Sequence, residues 1–367
     1  MTRRMILGAL IIGSLMLGAS AAEDARPSTA ATTTAVSMDA PQLVTSPSNW
    51  NLTGKPGAMA MEAVFVGSYF RATFDGTGVD ILVDTSGLKE YPWVGTRIDE
   101  GKDVIAKLEP EQKSIRIADL APGKHTLFVF YHARNDFNVP GTWADAQKLR
   151  ITGLEFSGGK GILPTAARPL KGILYGDSIT AGLALGAAPG VKCLDKYING
   201  SIGSYAYYLA NGLNAEYDQA GCGADGWNKG GVGNFPAFST AWNLKKQGVV
   251  RDLSHHDFAT IYHGYNEGKV SGSVVTAMLE KLRGANATMW IFPMIPFSGR
   301  CKAGIESGVA AYLTAHPQEK KIVIIDTTGA KIVCSDGIHP TPAGSIVLAD
   351  LMIAKIKPYL DEKPDAK

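Results

Sequence analysis

The sequence predicts an α/β fold in which a parallel sheet, covered by helices on both faces, is preceded by a β-sandwich of jelly-roll form. Three observations carry this expectation. Between residues 39 and 165, short β-branched and aromatic runs recur between Gly, Pro and Asp turn signals, without helical periodicity. After Pro164, apolar strands alternate with helix-length segments, the pattern of right-handed crossovers in a parallel sheet. Finally, residues with catalytic chemistry stand just after predicted strands of that second half, where open parallel sheets place their sites.

What precedes the sandwich is read as export and spacing. Thr2-Arg3-Arg4 supplies positive charge, Met5 to Gly18 is apolar, and Ala19-Ser20-Ala21 offers small residues for cleavage, so residues 1–22 read as a signal peptide. Its apolar core is short for a transmembrane span, which leaves an uncleaved anchor as the alternative. No cysteine lies near the cleavage region to carry a lipid, and the expected location is periplasmic or secreted, with no membrane span after signal cleavage. Residues 23–38, rich in Ala, Thr and Ser, read as a linker. The whole chain has 367 residues, 45% of them hydrophobic and 19% charged, which favours two domains with ordinary cores. A net charge of +2 and the lack of a basic run set nucleic acid aside as a partner. Oligomeric state is not legible.

In the sandwich region, 39–165, the predicted strands are Ala63 to Phe74, Val79 to Val83, Ile115 to Ile117, His125 to Tyr131 and Leu149 to Phe156. Asp75-Gly76-Thr77-Gly78, Ala121-Pro122-Gly123-Lys124 and Ser157-Gly158-Gly159 mark turns between them. In the second region, 166–367, strands are expected at Gly172–Tyr175, Ala215–Asp218, Phe258–Tyr262, Thr288–Phe292 and Ile322–Ile325. Helices are expected at Ile202–Leu213, Val274–Arg283, Glu306–Ala315 and Pro342–Tyr359.

The motifs fall after those strands. Lys171 to Gly182 (KGILYGDSITAG) reads as a buried strand ending in a tight turn, with Ser178 at a helix start among backbone N–H groups. Alone, Gly-Asp-Ser is better explained by an ordinary turn with a helix N-cap. After the third strand comes His263-Gly264-Tyr265-Asn266-Glu267, where the Asn266 amide could meet a developing oxyanion. After the last strand comes Ser335-Asp336-Gly337-Ile338-His339-Pro340. Asp-x-x-His within one loop can set a carboxylate on Nδ1 and leave Nε2 facing a nucleophile as general base. Together the three segments describe an activated serine.

On these residues the region from about Arg168 onward resembles the SGNH, or GDSL-type, hydrolase superfamily. Gly176-Asp177-Ser178 matches its first block, Gly264-Tyr265-Asn266-Glu267 its third with Glu in place of the usual Asp, and Asp336 to His339 its last. The second block should lie in Gln219 to Gly226, with Gly223 as the chosen oxyanion donor and Gly221 as the fallback. The whole chain is similar to carbohydrate esterase family two, which places a jelly roll before an SGNH domain whose first block reads GDSIT. The resemblance implies a flavodoxin-like three-layer hydrolase domain. It implies a site made of Ser178, His339, Asp336, Gly223 and Asn266, and an acetylated polysaccharide or oligosaccharide as substrate. Some family members lack the triad carboxylate, whereas Asp336 is present here. No cofactor or metal is implied.

Three functions fit these residues: a serine esterase removing O-acetyl groups from an exported or extracellular polysaccharide, an O-acetyltransferase using the same acyl-enzyme, and a non-catalytic glycan-binding protein. Trp227, Tyr265, Trp290 and Phe297 near strand ends, and Trp93 in the sandwich, are candidates to stack on sugar rings. His255, His256, His263 and His316 fit no ligand spacing, with His263 either structural or substrate-contacting. The four cysteines, Cys193, Cys222, Cys301 and Cys334, match no zinc pattern. In an oxidising compartment one or two disulfides are expected, with the pairing open.

Overall fold

The computed structural model describes residues 33–135, 139–186 and 199–362. The signal peptide, most of the 23–38 segment and Cys193 lie outside the described residues. Strands β1 (Thr33–Val36), β2 (Val44–Thr45), β3 (Asn51–Lys55), β4 (Ala58–Ala63), β5 (Tyr69–Gly76), β6 (Gly78–Val83), β7 (Trp93–Ile98), β8 (Val104–Lys107), β9 (Ser114–Ile117), β10 (Gly123–Ala133), β11 (Leu149–Ser157) and β12 (Gly161–Leu163) come first. They form two six-stranded antiparallel sheets. One runs β3-β4-β11-β6-β9 with β1 beside β11, the other β12-β5-β10-β7-β8 with β2 beside β5. Period-two alternation sends Phe70, Ala72 and Phe74 of β5, Leu127 and Val129 of β10, and Ile81, Ile151, Leu154 and Phe156 into one shared core.

Two local readings change. The apolar run Ala63 to Phe74 is two strands in different sheets, because Val64–Ser68 turns a corner. Gly67 there has φ 82° and donates its N–H to the Tyr131 carbonyl at 2.8 Å. All of Val64, Phe65 and Val66 are buried, so hydropathy alone runs straight through the bend. Thr33–Val36, inside the stretch read as linker, is a strand paired with Leu154–Ser157.

The second half contains β13 (Leu170–Gly176), α1 (Ser178–Ala181), α2 (Tyr205–Gly212), β14 (Ala215–Gly221), α3 (Phe238–Ala241), β15 (Leu244–Lys246), β16 (Val249–Val250), β17 (Phe258–Tyr262), α4 (Gly272–Ala285), β18 (Trp290–Ile295), α5 (Lys302–Ala315), β19 (Ile325–Asp326) and α6 (Pro342–Asp361). Five of these strands make a parallel sheet in the order β14-β13-β17-β18-β19. That is the doubly wound order whose switch point lies between the first and third strands. Alternate strand residues serve two faces. Ile173, Ile261 and Ile291 pack with Val275 and Leu279 of α4 and Ile305 of α5, whereas Leu174, Phe258 and Phe292 pack with Leu209 of α2 and Leu348 and Met352 of α6. Tyr69 and Phe130 of the sandwich join that second cluster.

A buried polar knot ties the sandwich to β14. Asp218 accepts the backbone N–H groups of Ser48 and Asn49 at 2.9 and 2.8 Å, and its other oxygen lies 2.8 Å from His256 Nε2 and 3.8 Å from Arg251. Burial by itself would push the Asp218 carboxyl up, but the hydrogen bond and charge of His256, with Arg251, hold it below the usual range. Removing one member of such a knot strands the others without solvent. Asp218→Ala is therefore expected to cost about 3–5 kcal/mol of stability in denaturant unfolding, and a change within error of zero would refute this reading.

Candidate active site

The position of Ser178 follows from its neighbours. Gly176 ends β13, and a Cβ there would stand 1.9 Å from Thr180 Oγ1, so only glycine lets the chain turn this tightly into α1. Asp177 is the N-cap, its carboxylate accepting the Ile179 N–H at 3.0 Å, and Ser178 is the first residue of the helix. Gly182, at φ 76°, closes this single turn.

The residue against Ser178 comes from the other end of the chain. His339 Nε2 lies 2.8 Å from Ser178 Oγ, and its Nδ1 lies 2.8 Å from Asp336 Oδ2. Asp336 Oδ1 accepts the backbone N–H groups of Ile338 at 3.0 Å and His339 at 2.8 Å, so one carboxylate orients both the ring and the loop. Burial would raise the Asp336 carboxyl, but these hydrogen bonds outweigh it and hold it below the usual range, leaving it ionised near neutrality. The loop is itself pinned. Ser335 Oγ donates to the Ala184 carbonyl at 2.9 Å, and Thr341 caps α6, with Pro342 at its start. Ser178 and His339 are buried, at 7% and 4% exposure, which shields their contact from bulk water.

Asn266 lies after β17, beside β13 in the sheet. Its Nδ2 donates to the Asp225 carbonyl at 2.8 Å and reaches Asp177 Oδ2 at 3.5 Å. An amide has two hydrogens: the short bond fixes the group's direction, and the second hydrogen is turned towards Asp177 Oδ2 in a long contact. Burial raises the Asp177 carboxyl to about 7, and it raises Asp225 as well, with Asp177 and Glu267 adding repulsion. Gly221 and Gly223 are distinguishable. Gly221 is the last residue of β14, aligned with Gly176, and a Cβ on it would stand 2.6 Å from the Ala181 nitrogen, so its role is close packing on α1. Gly223 lies past the strand in the loop, its carbonyl accepting the Val232 N–H at 2.8 Å.

Two supports were not legible in the sequence. The Asp225 carbonyl that aims Asn266 depends on Ala224 adopting φ 63°, which no side chain at that position advertises. Glu267, at the place of the usual family Asp, accepts the Trp227 N–H at 2.8 Å and the Asn228 N–H at 2.5 Å, and so holds the 226–228 loop. Glu267→Ala releases that loop from Asn266, and misplacement of this kind is expected to lower kcat about tenfold to a hundredfold with the fold intact by circular dichroism. Unchanged kcat would separate Glu267 from the site.

Several sequence candidates move away. Trp227 is fully buried against Phe238, and Trp290 begins β18, at the opposite end of the sheet, where it packs on Tyr359. Tyr265 and Phe297 remain half-buried just beyond the carboxyl ends of β17 and β18, with the Arg300 guanidinium 4.5 Å from the Tyr265 ring centre. Trp93, half-buried, begins β7 in the sandwich. His263 is fully buried between Trp227 and Phe238, its pKa lowered by burial to about 3, a structural position. His256 holds Asp218 in the polar knot, while His255 and His316 lie near surface carboxylates. Cys222, Cys301 and Cys334 form no disulfide with one another, so of the expected one or two bridges two are excluded, and a single bridge through Cys193 falls outside the described residues.

No protein-family model and no curated protein matches the sequence. Solved structures are. A family two carbohydrate esterase from Clostridium thermocellum, in complex with cellohexaose, superposes with a TM-score of 0.70 at 18% identity, covering 87% of this chain and 99% of that one. A family two carbohydrate esterase from Cellvibrio japonicus gives 0.73 at 14% identity, covering 90% and 99%. An acetyl xylan esterase from the rumen bacterium Butyrivibrio proteoclasticus gives 0.70 at 16% identity, covering 90% and 100%. The chain thus has the fold of family two carbohydrate esterases over nearly its whole length.

Proposed function

We propose that this chain is a serine esterase that removes O-acetyl groups from an exported or extracellular polysaccharide through an acyl-enzyme. The observation that carries the proposal is the row from Ser178 Oγ to His339 Nε2, and from His339 Nδ1 to Asp336, at the carboxyl end of a sheet with this fold. His339 takes the Ser178 proton as Oγ attacks the ester carbonyl. The Asn266 amide, with the Ser178 and Gly223 N–H groups, meets the oxyanion. His339 then gives that proton to the departing sugar oxygen, which leaves as a hydroxyl, and later activates the water that releases acetate from Ser178. In this reading residues 1–22 export the chain to the periplasm or beyond, a jelly roll occupies 39–165 and an SGNH hydrolase domain 166–367. Among the described residues no helix is long and apolar enough to cross a membrane.

Acetate release from acetylated xylan, cello-oligosaccharide and peptidoglycan, each with and without a sugar acceptor, tests the assignment. Free acetate from at least one substrate is expected. Acetyl appearing on the acceptor in its place would make the chain a transferase, and release from none would overturn the proposal.

A further inference from the structure

One sheet of the sandwich, β12-β5-β10-β7-β8, ends in β8. Val104, Ile105 and Ala106 follow one another along that strand, and all three are exposed, Val104 at 66% and Ile105 at 41%. Sheet edges are ordinarily guarded by charged residues, glycine or proline, as Gly54 and Lys55 guard β3 and Arg116 guards β9. The middle of β8 carries no such guard.

Which backbone groups of β8 are free follows from the ladder. Leu108 donates its N–H to the Pro92 carbonyl at 2.9 Å, and the pairs from Trp93 and Lys107 to Thr96 and Val104 continue the same register. Hydrogen-bonded pairs alternate in an antiparallel ladder, so Val104 and Ala106 turn their N–H and C=O groups to Thr96 and Val94. The far side of β7 agrees in phase. Asp99 donates to the Thr126 carbonyl at 2.9 Å, so Arg97 and Gly95 bond to β10, and Thr96 and Val94 are left to face β8. Asp103, Ile105 and Lys107 therefore aim their N–H and C=O groups outwards, and no strand takes them among the described residues.

The sequence along this edge, Asp103-Val104-Ile105-Ala106-Lys107, is complementary to itself. Laid antiparallel about a two-fold axis at Ile105, each copy sets Ile105 opposite Ile105, Val104 opposite Ala106, and Asp103 opposite Lys107. Opposite charges facing across strands are favourable and like charges are not. An axis at Asp103 or Lys107 would set like charges opposite each other, and an axis at Val104 or Ala106 would set Ile105 against Asp103 or Lys107. Asp103 already holds Arg97, and Lys107 pairs with Glu90, but both side chains remain partly exposed and open to a second ion.

We propose that the chain pairs with a second copy of itself through β8, edge to edge and antiparallel, with Ile105 on the two-fold axis. About six main-chain hydrogen bonds then join the two sheets into one. The edge is short and the contact smaller than a standard interface, so the dimer forms in roughly the 10–100 µM range. The proposal does not rest on the esterase reading.

Sedimentation equilibrium of the full chain from about 1 to 300 µM spans that range, and a monomer giving way to a dimer is expected. Ile105→Pro removes an outward N–H and no bond to β7, so the monomer keeps its sheet, and the dissociation constant is expected to rise about tenfold or more. Cross-linking reads the register. Cα atoms of a hydrogen-bonded pair stand about 5.5 Å apart, within reach of a disulfide, whereas Val104 faces Ala106 and not its own counterpart. Under mild oxidation Ile105→Cys is expected to form a covalent dimer about tenfold faster than Val104→Cys, with the unaltered chain as the baseline for its own thiols. A chain that stays monomeric throughout would leave the edge to solvent or to another partner and overturn the proposal. Unchanged association in Ile105→Pro, or equal cross-linking at the two positions, would overturn it as well.

Discussion

Ser178→Ala is expected to lower hydrolysis of nitrophenyl acetate and of acetylated glycan by about 10⁴-fold or more while leaving the unfolding midpoint unchanged. The size of the loss comes from the geometry. Ser178 Oγ is the atom that His339 Nε2 touches at 2.8 Å, so its removal leaves base and carboxylate with no nucleophile to activate. The Asn266 amide and the loop N–H groups survive the substitution, so a residual rate above that of water is consistent with the same account. Initial rates of the purified variant decide the matter. Activity near that of the unaltered protein would place the nucleophile elsewhere.

Asp336→Asn is expected to lower kcat by about 10³–10⁴-fold with KM little changed. The carboxylate accepts from His339 Nδ1 and from two backbone N–H groups. An asparagine can keep the loop bonds through its oxygen, but it turns an NH₂ towards Nδ1. That favours the tautomer protonated on Nε2, the nitrogen that must accept the Ser178 proton. The contrast between kcat and KM is the informative readout, since a loop that merely collapsed would raise KM as well. Near-normal kcat would mean that His339 keeps its tautomer without the carboxylate.

How much of this was legible in the sequence depends on where each signal resides. The parallel sheet and its crossovers were readable because strands such as Phe258–Tyr262 are continuous buried runs between helices of ordinary length. The serine, histidine and aspartate were readable because each follows a strand in a local motif. The corner at Gly67 was not, because hydropathy does not register a change of sheet. Nor was β1, whose Thr-Thr-Ala-Val composition matches that of an unstructured tether. The aim of Asn266 escaped for another reason: it is fixed by a backbone carbonyl, and carbonyls leave no trace in side-chain identity. The aromatic candidates failed where strand direction mattered, as at Trp290, since a strand's residue types do not say which end faces the site.

The knot at Asp218 also bears on how this protein could have been assembled and how it could be taken apart. Asp218 stands three residues before Gly221, on the strand that leads into the loop of Gly223 and Asp225, and two of its hydrogen bonds come from Ser48 and Asn49. The amino-terminal half therefore helps to brace the strand that leads into the loop beside Asn266. Removing the amino-terminal half would open that end of β14 to solvent, so the two halves are expected to melt as one cooperative block, with a single transition in calorimetry.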